Sequence, residues 1–183
     1  MVEFFPVSMV HPDLSEIDRN WKKLSDYTFR NFSPGDEYSW SLLQSSTDSF
    51  QTNAEALAHF DEEFGIANLN LAERCFFLIN QQNDPVGSAM AWFDDGRYDP
   101  DYGRLHWVVI DPGYRGKGLG KVLIHYTLIQ LSHFYSKAFL TTQTTSYPAI
   151  NIYLDFGFIP QIKTHDDQKA WKLLQEVLNH PSL

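Results

Sequence analysis

Leu105-His106-Trp107-Val108-Val109-Ile110-Asp111-Pro112-Gly113-Tyr114-Arg115-Gly116-Lys117-Gly118-Leu119-Gly120-Lys121 opens as an apolar run, breaks at Asp-Pro-Gly, and then spaces glycines at 116, 118 and 120. Beyond it, Val122, Leu123, Tyr126, Leu128, Leu131 and Tyr135 keep close to the three-and-four spacing of one helix face. The stretch reads as strand, turn and helix, with its glycines at the helix N-terminus. There the first backbone N–H groups have no helical partner and the macrodipole is positive, so an anion is favoured. Glycine lets that anion approach the backbone, and Arg115, Lys117 and Lys121 add charge, which makes a phosphate or pyrophosphate cradle. Two nucleotide readings fail on spacing. A P-loop requires Lys and then Ser or Thr after its last glycine, where Gly118 is followed by Leu119, and a dinucleotide fingerprint begun at Gly116 requires glycine where Lys121 stands.

What fits is Arg-x-x-Gly-x-Gly at Arg115, Gly118 and Gly120, directly after a strand ending in Val-Ile-Asp-Pro. Alone, such a loop also suits a glycine-rich turn that only permits tight packing. As a motif it resembles the acyl-CoA pyrophosphate loop of the GNAT N-acetyltransferase superfamily. Ser146-Tyr147-Pro148-Ala149-Ile150-Asn151-Ile152-Tyr153-Leu154-Asp155-Phe156-Gly157-Phe158 resembles that superfamily's other signature, a short helix carrying Ala and Tyr and ending in Gly-Phe. The two motifs stand in the family's order, one helix and one strand apart. The resemblance covers residues 27 to about 162 and implies an α/β (α+β) GNAT fold. Its central sheet is mixed, mostly antiparallel, flanked by helices, and splayed between the fourth and fifth strands.

Length and composition set the frame. A chain of 183 residues with one cysteine reads as one domain without internal disulfides. The formal net charge of -9 opposes nonspecific nucleic-acid binding and anionic membranes, both of which need basic surface. No apolar stretch approaches a membrane span and no signal pattern opens the sequence, so a cytoplasmic protein is expected. Cys75 begins the apolar run Cys75-Phe76-Phe77-Leu78-Ile79, where a small buried side chain suits it better than a nucleophile's role. The histidines outside the central strand show no paired metal spacing, so no metal is expected.

In chain order, residues 1–26 read as an N-terminal extension packed on the domain, apolar over 2–9 but interrupted by Pro6, with a short helix allowed over 12–23. Residues 27–183 make the domain: a strand over 27–32, a helix from Ser33 to about Gln44, another over 53–64 closed by Gly65, and a hairpin of 75–80 and 86–93. The family's acceptor site borders the two helices, which makes Tyr38, Phe60 and Glu63 candidates for substrate contacts as well as for helix surface or core. Asp94, Asp95, Asp99 and Asp101 sit in a polar loop that attracts a cation or is simply solvated. Strands follow over 138–144 and 158–163. The end departs from the family, because residues 166–178 are written as a helix where a final strand is expected. Either the N-terminal apolar segment supplies that strand, or the sheet is one strand short, or a neighbouring chain covers the edge.

The resemblance implies acetyl transfer from acetyl-CoA, as cosubstrate, to a primary amine of a small molecule or peptide. Backbone groups of Val108, Val109 and Ile110 would pair with the pantetheine arm, and one N–H of that run would face the thioester oxygen. The pyrophosphate would fall on Gly116, Lys117, Gly118, Leu119, Gly120 and Lys121, with Arg115 alongside. Tyr153 holds the position of the acid that protonates the leaving thiolate. His106 is the expected base, being near neutral in its titration and on the side-chain repeat of Val108; water-mediated deprotonation is the other route. Glutamate bases known in the superfamily are excluded, since Arg104 and Thr141 stand in their places. Ser146 replaces the usual Asn, with shorter reach to the cofactor. A noncatalytic acyl-CoA-binding sensor or regulatory module is the rival reading, although it would have no use for the acid at Tyr153. Neither nucleic acid nor membrane is expected as partner, and the protein is expected as a monomer or homodimer.

Overall fold

The computed structural model describes residues 2–20, 24–47, 49–65, 70–94 and 96–183. Among them seven strands join one sheet: β1 (Pro6–His11), β2 (Tyr27–Asn31), β3 (Cys75–Asn80), β4 (Pro85–Trp92), β5 (Tyr102–Ile110), β6 (Lys137–Gln143) and β7 (Ile159–Gln161). Their order is β2-β3-β4-β5-β6-β1-β7, and each neighbouring pair is antiparallel except β5–β6. The helices are α1 (Glu37–Ser45), α2 (Asn53–Phe64), the single turn α3 (Leu71–Arg74), α4 (Leu119–Leu131), α5 (Tyr147–Asp155) and α6 (His165–Leu178). Of the loop aspartates, Asp95 lies outside the described residues.

Alternation along the strands splits the core into two layers. Phe76, Ala91 and Leu105 meet Ile124 and Leu128 of α4, Tyr153 of α5, and Trp171 and Leu174 of α6. Phe77, Ile79 and Met90 face the other way, against Trp40 and Leu43 of α1 and Phe60 and Phe64 of α2. Trp40 and Phe60 are wholly buried there, each contributing on the order of 2–3 kcal/mol. Helix ends follow local chemistry. Thr52 accepts from the Glu55 N–H at 3.1 Å and Gly65 closes α2 at φ 67°. At α6, Thr164 and Asp167 form a reciprocal capping box. The first helix starts later than Ser33, at Glu37, because the Asp36 carboxylate accepts from the Ser33 N–H at 2.7 Å and from Arg30 at 2.5 and 2.8 Å.

The N-terminal segment is a strand inside the sheet, not an extension laid on it. β1 runs between β6 and β7, pairing Val7 with Thr142 and Val10 with both Phe139 and Ile159. It supplies the strand missing after β7, and α6 then packs over it through Trp171 and Leu174, in one cluster with Val7 and Met9. Pro6 interrupts nothing, since the first position of a strand tolerates a missing N–H. The Thr144 hydroxyl accepts from the Phe5 N–H at 2.9 Å and donates to the Glu3 carbonyl, and His11 Nε2 donates to the Phe156 carbonyl at 2.8 Å. In place of a helix over 12–23 there is one short turn, Leu14–Glu16, capped by Asp13; residues 21–23 lie outside the described set.

Candidate active site

β5 pairs with β6 only at Tyr102, Gly103 and Arg104, while it continues to Ile110 and β6 to Gln143. Past Arg104 the two parallel strands part, so residues 105–110 face a gap on that side. Arg104 Nη2 donates to Thr141 Oγ1 at 3.1 Å across the junction. The other side of β5 carries a bulge. Ser88 pairs with Val109 and Met90 with His106, so a two-residue step on β4 opposes a three-residue step on β5. Trp107 takes it up at φ 47°.

The bulge changes which way side chains face. Leu105 and Val108 pack in the layer of α4, α5 and α6, whereas Trp107 and Val109 pack with α1 and α2. His106, within 6.4 Å of the Phe64 ring and 5.3 Å of Trp107, also faces α1 and α2. It therefore lies opposite Val108, not on its side as a regular strand requires. Its Nε2 is 2.6 Å from Glu63 Oε1, and the Trp107 indole N–H donates to Glu63 Oε2 at 2.8 Å. His59, one turn earlier on α2, is 3.1 Å from the same oxygen. Burial alone would push the Glu63 carboxyl up; hydrogen bonds from His106 and Trp107, with the charges of His106 and His59, hold it below the usual range. Gln44 Nε2 donates to the Trp107 carbonyl at 3.1 Å, so α1 and α2 both grip the bulge.

At the far end of β5, the Asp111 carboxylate accepts from the Gly113 N–H at 2.7 Å and its N–H donates to the Val86 carbonyl. Gly116 and Gly118 then take φ of 76° and 77°, and α4 begins at Leu119 with no side-chain cap. A Cβ at either glycine would meet nothing within 4 Å, while one at Gly120 would stand 3.6 Å from Ile152 of α5. The first two are glycines for backbone conformation, whereas a Cβ at the third would make only ordinary van der Waals contact. The three cations have local partners. Arg115 Nε donates to the Ile110 carbonyl at 3.3 Å, Lys117 lies 4.8 Å from the Tyr114 ring centre, and Lys121 pairs with Asp155 at 2.9 Å, holding that carboxyl low.

Ser146 immediately precedes α5, its hydroxyl accepting from Gln143 at 2.9 Å. Tyr153 is buried beside Phe158, and burial pushes its phenol up. Of the substrate-contact candidates, Phe60 is wholly buried core, Tyr38 is exposed, and Glu63 alone joins the site. Its sequence signal was slight: a histidine four residues before it on the same helix. Cys75 is buried, which pushes its thiol up and removes it from nucleophilic chemistry. Among the described residues, no group of three or more His, Cys, Asp or Glu could hold a metal ion, and no helix is long and apolar enough to cross a membrane.

The model of the acetyltransferase (GNAT) family matches residues 37–158. Among solved structures, the chain is similar to an acetyltransferase of the GNAT family from Colwellia psychrerythraea, with a TM-score of 0.62 at 10% identity over 86% of this chain and 54% of that one. A GCN5-related N-acetyltransferase from Sphaerobacter thermophilus gives 0.59 at 16% identity over 86% and 50%. The glucosamine N-acetyltransferase region of a fungal multi-domain β-N-acetylglucosaminidase gives 0.60 at 11% identity over 87% and 20%. The chain thus spans from a fifth to about half of those proteins' lengths. No curated protein matches its sequence.

Proposed function

The chain belongs to the GNAT acetyltransferase family, and from that premise we propose that it moves an acetyl group from acetyl-CoA to a primary amine of a small molecule or peptide by direct attack. Family membership supports acyl transfer in general. The observation that carries the narrower reading is the gap beside residues 105–110, which leads straight into an α4 N-terminus with no side-chain cap. The residues there suit a pyrophosphate-bearing thioester: positive φ at Gly116 and Gly118, open space above both, and a first turn of N–H groups that no side chain among the described residues caps.

Acetyl-CoA supplies an acetyl group on sulfur; the chain supplies the rest. Residues 116–121 receive the pyrophosphate with Arg115 and Lys117, and the backbone of Val108, Val109 and Ile110 orients the arm. An N–H of that run bonds the thioester oxygen as charge grows on it. His106 takes the proton of the attacking amine, the C–N bond forms as the C–S bond breaks, and Tyr153 gives its phenolic proton to sulfur. A phenol is protonated through neutral pH even at its ordinary value of about 10, and the burial that pushes Tyr153 higher makes it the weaker acid.

Calorimetric titration with acetyl-CoA, followed by thiol release across amines, amino sugars, polyamines and peptides, tests this in two steps. Binding with amine-dependent release is expected. Binding without release on a broad panel would favour an acyl-CoA-binding module, and absence of binding would undo the reading.

A further inference from the structure

We infer that Glu63 is the positioning residue of this site: its carboxylate fixes His106 with the proton on Nε2 and the basic lone pair on Nδ1, and through Trp107 it ties that base to the bulge of β5. For its chemistry this rests on the acyl-transfer reading; for its geometry it does not.

Glu63 stands in the last turn of α2 and meets three nitrogens, those of His106 at 2.6 Å, Trp107 at 2.8 Å and His59 at 3.1 Å. An ionised carboxylate only accepts, so the nitrogen His106 turns toward it carries the hydrogen. The His106 side chain is 10% exposed and packs 6.4 Å from the Phe64 ring and 5.3 Å from the Trp107 ring, which makes that orientation hard to exchange. When Nδ1 gains a proton, the imidazolium forms beside a negative charge already drawn partly out of water, where the attraction exceeds its value in bulk solvent. The carboxylate remains ionised and acts through the imidazole, as carboxylates behind catalytic histidines do. His59, 37% exposed, forms the solvent end of the cluster.

The same group holds the backbone. A bulky residue keeps a positive φ only where its surroundings over-determine it. Trp107 is held by its indole N–H on Glu63, by its carbonyl on Gln44, and by edge contacts of its ring at 5.2 Å with both Trp40 and His59. That conformation turns His106 toward α1 and α2 while Val108 faces the opposite layer. One carboxylate thus sets the base and the strand that would orient the thioester.

The test pairs a spectrum with kinetics. Ring-nitrogen shifts of ¹⁵N-histidine protein, without donor or acceptor and with His106 assigned by His106→Gln, are expected to show the Nε2–H tautomer. In Glu63→Gln the tautomers should mix, kcat should fall about 100-fold, and acetyl-CoA affinity should hold. The acidic limb of kcat/KM should move to lower pH, because the imidazolium has lost a negative charge 2.6 Å away. Glu63→Asp, which keeps the charge at shorter reach, should return the limb toward wild type and covers the case in which Glu63→Gln does not fold. A wild-type Nδ1–H tautomer, or a Glu63→Gln protein with unmoved tautomer and limb, overturns the inference. If no amine supports turnover, the acyl-transfer reading fails while the spectra still decide the role of Glu63.

Discussion

Gly118 precedes α4 as its N-cap at φ 77°, a region that a β-branched residue enters only under strain of roughly 1–3 kcal/mol. Gly118→Val therefore should distort the N–H groups offered to a pyrophosphate while leaving the core intact. Acetyl-CoA affinity is expected to fall at least about tenfold by calorimetry, with a melting temperature lower by about 2–12 °C; unchanged affinity would put the donor elsewhere. Tyr153 is tested differently, since Tyr153→Phe removes one oxygen from a ring packed against Phe158. Turnover should fall on the order of 100-fold at constant acetyl-CoA affinity, and a fully active variant would remove the assigned acid. What was legible here is a glycine before α4 and a tyrosine on α5, set by motifs that resemble the family's, their roles coming from that resemblance. The orientation of His106 was not, because the positive φ of Trp107 has no signature in a run of apolar residues. Nor was the pairing of Glu63, open to sequence only as a substrate-contact candidate, with a histidine 43 positions away that it meets only once α2 docks on the sheet.

The elements divide in the same way. The bounds of α2 and the hairpin of β3 and β4 could be read closely because Thr52, Gly65 and the turn at 81–84 are local instructions. β1 could not be placed, since its anchor at Thr144 lies 139 residues away and no short pattern encodes that pairing. Its other end gives it a pH dependence. His11 is buried, with one nitrogen donating to the Phe156 carbonyl and the other accepting from the Asp13 N–H, and burial lowers its pKa below 6.5. Between the folded value and 6.5 the unfolded chain binds more protons, so stability from this group is full above about pH 6.5 and drains away as pH falls. Urea melts from pH 7.5 to 5 should show that decline, and His11→Gln, which can still donate but does not titrate, should flatten it. An unaltered slope would remove His11 as its source. Glu63 acts lower down: its depressed carboxyl gives stability present above about 4.5 and lost as pH falls through the folded value.

Across the whole molecule, the sheet separates the layer of α1 and α2, which borders the proposed acceptor side, from the layer of α4, α5 and α6. Whether the first layer opens alone decides how an acceptor would reach His106, and Cys75 reports on it. Its thiol is wholly buried in that layer, raised by burial, and the chain has no other cysteine to confuse the signal. Trp40, Phe60 and Phe64 interlock with one another above the strands, and Trp40 with Trp107 on β5, so parting the layer would expose the sheet's own core. Labelling of Cys75 by a thiol reagent is accordingly expected to coincide with global unfolding by circular dichroism in every concentration of urea. On the proposed function, acetyl-CoA at about 100 times its dissociation constant is expected to stabilise the native chain by about 2.7 kcal/mol and so to slow labelling about a hundredfold when reclosing outruns the reagent. Labelling that precedes the global transition and ignores acetyl-CoA would mean that α1 and α2 lift independently of the donor cleft. His106 and Glu63 would then be assembled by closure of that layer instead of standing ready in the folded chain.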